Sequence, residues 1–275
     1  MSAVVEVPST AARRGGVRAL WAGNPGAVVQ RGLIAARSSS WAVVLSGFFE
    51  PVFYLASMGI GLGALIGDVE TTQGASVSYA AFIAPALLAV SAMNGAIYDS
   101  TWNVFFKLNY GKLYEGMLAT SLGPLDVALG EILYALLRGL AYATGFMIIM
   151  QVLGLNLAWT AVLALPAVVL IAFGFASLGM AVTSYMKTFQ QMDWINFVLL
   201  PMFLFSATFY PITVYPGWVQ QIVMALPLWH GVELIRGLTT GILSVDMLWH
   251  VLYYLVMIAI GLVFTTKRLR ALFLD

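Results

Sequence analysis

Two histidines and no cysteine are a poor kit for bond-making chemistry. His230 and His250 show no metal-ligand spacing, so they read as interface residues rather than ligands. Covalent or metal-assisted catalysis needs a nucleophile–base pair or a ligand cluster, and neither is recognisable. No Gly-x-x-x-x-Gly-Lys-Ser/Thr loop is present to cradle a nucleotide. What the polar residues offer instead is charge set inside oily sequence. Glu50 precedes Pro51. Glu131 and Arg138 stand two helical turns apart on one face, too distant to pair without other groups. Glu233 and Arg236 stand three apart, close enough to pair on one helical face. Ionisable groups inside a membrane are expensive and face an interior or a cavity. Glu131 therefore reads as a structural or coupling acid near one membrane boundary, or as a substrate contact. Glu50 reads as a gate or packing residue at a proline kink, or again as a substrate contact. Phe53, Phe205 and Phe209, with Tyr54, Phe203 and Tyr210, either line an amphiphile path or face lipid.

The elements that must hold these residues follow from composition. Of 275 residues, 61% are hydrophobic and 9% charged, against about 25% charged in a soluble domain. Such a chain cannot cover a water-facing surface, and the reading is an all-α polytopic membrane protein with six transmembrane helices. Apolar blocks of about 20 residues, the length that crosses the hydrocarbon, fall near 41–66, 78–98, 124–152, 160–185, 194–212 and 247–266. Between the last two lies "GWVQQIVMALPLWHGVELIRGLTTG", divided by Pro227 into pieces too short to span. Two short re-entrant helices before the last span fit it, carrying Glu233 and Arg236. Residues 1–40 form a basic N-terminal tail and interfacial helix, unstructured to about residue 16 and helical over about Pro25–Arg37; the alternative is a basic tail throughout. Residues 41–275 form the membrane domain.

Orientation follows from lysine and arginine placement. With the N-terminus inside and six crossings, every basic residue except Arg138 and Arg236 falls on the cytoplasmic side, and both termini are cytoplasmic. This places "STWNVFFKLNYGKLYEGMLATSLGPLDVALGE" in the cytoplasm between spans two and three. Its Trp102, Phe105 and Phe106 sit toward one helical face, Leu113, Met117 and Leu118 toward another, and Lys107, Lys112 and Glu115 elsewhere. The segment is either an interfacial connector or a docking element for a cytoplasmic partner.

The run "KLYEGMLATSLGPLDVALGE" resembles the cytoplasmic loop and following Gly-Glu of type-2 ABC exporter permeases, in particular the branch of nodulation lipo-oligosaccharide exporters. "FFEPVFYLASMGIGLG", "YAAFIAPALLAVSAMNGAIYDSTWNVFFKL" and "LLPMFLFSATFYPITVYPGWVQQIVMALPLWHGVELIRGL" agree in order and spacing. Asp99 stands where that branch shows glutamate, Ser121 where it shows proline, and Ala207 where it shows glycine. The resemblance implies a transport subunit rather than an enzyme, in the plasma membrane, paired with a second permease chain as homo- or heterodimer. It implies an ATP-binding cassette subunit that carries ATP and Mg, none being held by this chain, docked through Phe105, Phe106, Lys107, Lys112, Tyr114 and Glu115. It implies an amphiphilic cargo (glycolipid, lipo-oligosaccharide or hydrophobic drug) and no nucleic acid. A secondary transporter or channel without an ATPase is the alternative. It predicts internal repeats, and residues 41–152 and 160–266 show no convincing one. A membrane-embedded enzyme is the third class.

Overall fold

A computed structural model gives the architecture of the chain and describes residues 20–36, 49, 51–71, 74 and 76–273. The expected unstructured stretch to about residue 16 and the candidate gate Glu50 lie outside the described residues. The order is α1 (Pro25–Ala36), α2 (Pro51–Ile66), the hairpin β1 (Asp68–Glu70) and β2 (Ser76–Ser78), α3 (Tyr79–Tyr110), α4 (Leu113–Leu118), α5 (Pro124–Val152), α6 (Trp159–Tyr185), α7 (Asp193–Phe205), α8 (Gly217–Ala225), α9 (Pro227–Thr240) and α10 (Asp246–Phe273). The protein is an all-α polytopic membrane protein with one two-stranded antiparallel hairpin, Val69 opposite Val77.

The middle of the bundle is α3. Its first turns, YAAFIAPALLAV, are apolar all round and rich in alanine, the pattern of a helix enclosed by others. Phe82, Ile83, Leu87 and Leu88 are fully buried there against α5, α6 and α9. Ser78 caps its start, the hydroxyl accepting from the Ala81 amide at 3.3 Å. The sequence suggested a span ending at Tyr98. The helix instead runs on to Tyr110 through two wide π turns, Asp99–Asn103 and Phe106–Tyr110. It stops where Lys112 takes the left-handed conformation, φ 46°.

Among the described residues four helices are long and apolar enough to cross a membrane: α3, α5, α6 and α10. The remaining two expected spans do not reach that length within the described residues. In the first block the described helix is α2, and residues 37–48 lie outside the described residues. In the fifth, α7 has 13 residues, about 20 Å at 1.5 Å per residue, short of the roughly 30 Å hydrocarbon. It ends because Ala207 adopts φ 55° directly after Ser206. The pair of short helices divided at Pro227 is present as α8 and α9. Of the two, α9 is sunk into the bundle, held by the Tyr254 hydroxyl donating to the Pro227 carbonyl at 2.7 Å and the Thr160 hydroxyl donating to the Leu238 carbonyl at 2.6 Å.

Candidate functional site

At the α4 end of the bundle, three elements meet on the first turns of α5. Gly123-Pro124 opens that helix, with proline at the first position, where its missing amide costs nothing. Two turns in, Glu131 is almost fully buried, and its two oxygens take different partners. Lys107 from the end of α3 approaches at 2.5 Å and Arg31 from α1 at 3.3 Å. One carboxylate thus ties α1, α3 and α5. Arg138, two turns further along, is paired with Asp99 on the π turn of α3. The Glu131–Arg138 distance problem posed by the sequence is resolved by partners on other helices.

A second acid does more for α1. Asp126 is fully buried and accepts three backbone amides: Ala22 at 2.6 Å, Asn24 at 2.9 Å and Gly123 at 2.9 Å. The first two belong to the chain leading into α1, so this carboxylate clamps that entry onto α5. Sequence reasoning passed over Asp126, although an acid at the third helical position after Gly-Pro is a capping signal. The two helices then cross closely. A Cβ on Gly130 would meet the Val28 Cβ at 2.5 Å, and one on Gly32 would meet the Tyr134 ring at 2.7 Å. The basic helix expected at the membrane surface therefore seats Val28 and Gly32 on α5.

The polar segment divides its aromatics between inside and outside. Phe105 is 1% exposed and Tyr114 fully buried, whereas Phe106 is 47% and Tyr110 67% exposed. Adjacent residues on a helix point about 100° apart, so Phe105 and Phe106 cannot present one face together. Phe105 packs edge-on against Phe189 at 6.5 Å and fixes the segment to the chain itself. The Tyr114 hydroxyl is held as a neutral phenol, its pKa raised chiefly by burial and then by the nearby Glu131 charge. Lys107, which the sequence sets apart from both apolar faces, is drawn in by Glu131. What remains outward is an apolar strip of Phe106, Tyr110 and Leu113 beside the exposed pair Lys112–Glu115 at 4.0 Å.

Further along the bundle a half-open chamber of about 690 Å³ lies between α2, α3, α5 and α7, with Tyr54, Tyr98 and Leu200 exposed at its wall. Tyr54, Trp102 and Phe203 supply aromatic wall, Leu87, Val90 and Leu199 aliphatic wall, and Ser91, Asn94, Asn196 and Arg138 polar atoms. The volume lies in the range of sites that enclose small ligands. Of the aromatics expected on a pathway, Phe53 is 65% exposed and stacks on Phe49, Phe205 leans on Tyr215, and Phe209 packs against Phe203 at 5.2 Å. Their neighbours Tyr54 and Phe203 are the ones that line the chamber. Hydropathy does not separate positions a fraction of a turn apart.

At the opposite end, Glu233 and Arg236 pair at 2.5 Å as their spacing predicts, both buried. Arg236 also donates to the Ala207 carbonyl at 3.0 Å and lies 4.0 Å over the Phe82 ring. The pair thus fixes α9 to α3 and to the turn after α7. Nearby, His230 and His250 are buried with their Nδ1 atoms 2.7 Å apart, His230 stacked on Tyr253. Burial, then His250, lowers the His230 pKa to about 4. Among the described residues there is no cluster of three or more groups able to hold a metal ion. Asp193 lies in the first turn of α7 but makes no side-chain cap. The preceding turn is capped instead by Gln191, which accepts from the Lys187 amide at 2.7 Å.

Residues 26–240 match the model of the ABC-2 type transporter family. The chain is also similar to Nodulation protein J of Rhizobium leguminosarum bv. viciae, 32% identical over 246 residues, 89% of this chain and 93% of the relative. Nodulation protein J of Bradyrhizobium diazoefficiens is 34% identical over 212 residues, 76% of this chain and 79% of the relative. That of Rhizobium meliloti is 30% identical over 217 residues, 78% and 80%. The resemblance carried by the quoted motifs is borne out.

Proposed function

The chain belongs to the ABC-2 type transporter family, and from that premise we propose that it is the membrane subunit of an exporter driven by a separate ATP-binding cassette subunit. The observation that carries the partnership is the outward strip of Phe106, Tyr110 and Leu113. It lies on a charged stretch between two spans, at the end where Glu131 joins α1, α3 and α5. Burying one aromatic side chain is worth about 1.5–3 kcal/mol, enough for two of them to anchor a contact. The charges of Lys112 and Glu115 at its edge set register more than affinity. A push on that strip passes to α5 through Lys107 and Glu131 and to α1 through Arg31. In this reading the strip and both termini face the cytoplasm of a cell bounded by the plasma membrane, in keeping with lysine and arginine placement. A second permease chain completes the pathway, and the cargo is an amphiphile such as a glycolipid, lipo-oligosaccharide or hydrophobic drug.

The test separates the strip from its foundation. Phe106→Ala with Tyr110→Ala should leave a folded, membrane-inserted chain that purifies with less ATPase partner and shows no substrate-stimulated ATP hydrolysis. Phe105→Ala should instead lower thermal stability by about 3 kcal/mol or more, as buried aromatic truncations do. A double variant that carries its partner and pumps normally would reduce the strip to a connector.

A further inference from the structure

An ion pair inside a membrane bundle that serves only structure is best enclosed on both sides, as Glu233–Arg236 within α9 is, with side-chain exposures of 5% and 1%. Asp99–Arg138 is built differently. Asp99 is 5% exposed and Arg138 23%, and only the arginine belongs to the chamber wall. The oxygen that receives Arg138, Asp99 Oδ1, also accepts from Asn103 Nδ2 at 2.6 Å, which fixes the carboxylate on its own helix. Its position depends on the π turn Asp99–Asn103, an irregularity that recurs at functional sites. The pair is thus an oriented dipole with its positive end toward the cavity. Among the described residues the other polar groups of the wall, including Ser91, Asn94 and Asn196, are neutral. Asp99 engages one terminal nitrogen of the guanidinium, and the planar fork has further donors to offer a second acceptor.

We propose that the chamber binds the anionic head group of an amphiphile, carboxylate, phosphate or sulfate, and that Arg138 receives the anion while Asp99 holds the guanidinium in place. The aromatic and aliphatic wall takes the adjoining apolar part. This deepens the export reading of the same chain and rests on it for the cargo, but the binding itself needs neither ATP nor a partner.

The test uses the full chain in nanodiscs of zwitterionic phosphatidylcholine, with empty discs as the partition control. The probe is 11-(dansylamino)undecanoate, compared with its neutral primary amide, and binding is read by tryptophan-sensitised emission. The wild type should prefer the carboxylate by about tenfold, one charge-assisted hydrogen-bonded pair. Arg138→Gln should abolish that preference. Because it strands a buried carboxylate and risks misfolding, Asp99→Asn with Arg138→Gln serves as the neutral pair and should bind both probes alike. Asp99→Asn alone should tighten the carboxylate, since the guanidinium loses a competitor. Equal binding of both probes by the wild type, a carboxylate preference surviving in the double variant, or weaker carboxylate binding in Asp99→Asn would each overturn the assignment. Phosphatidylglycerol added to the disc distinguishes the source. Arg138-dependent displacement of the probe assigns the site to a resident membrane lipid, and no displacement assigns it to a single-chain cargo. Both outcomes require the anion preference. If that preference holds while ATP-driven transport fails, the export reading falls and the anion site stands.

Discussion

Asp126→Ala should release α1 from α5 while leaving the bundle in the membrane. Three amides lose a charged acceptor, and a hydrogen bond to a charged group contributes about 1.5–3 kcal/mol. The full sum is not expected. Ala22 is half-buried and Asn24 exposed, so their amides regain water when the carboxylate is gone, whereas the Gly123 amide is buried and has no such recourse. A net cost of about 3 kcal/mol follows, roughly two orders of magnitude in the ratio of docked to undocked α1. The Arg31–Glu131 pair cannot compensate, because Arg31 is 36% exposed and such pairs give less than about 1 kcal/mol. Asp126→Asn keeps one acceptor oxygen without the charge and should cost about half as much. The chain has no cysteine, so a single Val28→Cys reports the opening directly. Val28 is 2% exposed on the face of α1 that meets α5, and its maleimide labelling rate scales with the undocked fraction. That rate should rise by about a hundredfold in Asp126→Ala, while Leu33→Cys, exposed on the same helix, labels rapidly throughout. An unchanged Val28→Cys rate would show that the carboxylate does not hold the helix.

Ala207→Gly should stabilise the protein. A non-glycine residue at φ 55° costs about 1–2 kcal/mol, partly offset by the greater freedom of unfolded glycine, so the thermal midpoint should rise by a few degrees and fall for Ala207→Val. Arg236→Met strands Glu233 in the bundle and should cost about 3–5 kcal/mol, read as loss of monodisperse protein; Glu233→Leu with Arg236→Met should recover part of that loss, and no recovery would show that the carbonyl contacts of Arg236 dominate. Acidification should weaken the end of the fold that holds His230 and His250. His230 is held near pKa 4 against an ordinary 6.5, so the folded state binds fewer protons than the unfolded one. Stability is complete above about pH 6.5 and is lost as pH falls toward 4. The comparison is with His230→Phe, whose thermal midpoint should vary less over that window.

Breaks and compositions were legible in the sequence; partners across the bundle were not. Pro227 announces the division of α8 from α9, and Gly123-Pro124 the start of α5, because both act through the local backbone. The Glu233–Arg236 pair was equally local. Hydropathy extended the fifth block through Ile212, since Ala207, Phe209 and Tyr210 are as apolar as the helix before them, and apolarity does not report the left-handed turn that ends it. The same blindness carried the second span only to Tyr98, where polar residues begin, although π turns continue the helix to Tyr110. Glu131 was singled out as an isolated acid, but its partners are 24 and 100 residues away, and the two that tie Asp126 to the entry of α1 lie 104 and 102 residues away. Pairings of that range are set by which helices cross, and the crossing depends on Gly32 and Gly130, two residues without a side chain to signal anything.

The charges of this chain are graded by how far water can reach them. Lys112–Glu115 is exposed on both sides and loosely paired, which costs little and holds little. At Glu131 one buried carboxylate faces two cations, and the excess is tolerable because Arg31 and Lys107 keep 36% and 21% of their side chains exposed. Glu233–Arg236 is enclosed, and there the charges balance one to one while the arginine finds a carbonyl and a ring besides. Where enclosure is complete an uncompensated charge is not tolerated, as the cost of an unpaired ion in low dielectric requires. Asp99–Arg138 balances one to one like the enclosed pair, yet its cation is left facing a cavity. A tie between α3 and α5 does not need that opening, and a buried aliphatic contact would join the two helices without the desolvation cost. The open guanidinium is accounted for when the wall of the chamber has something to recognise.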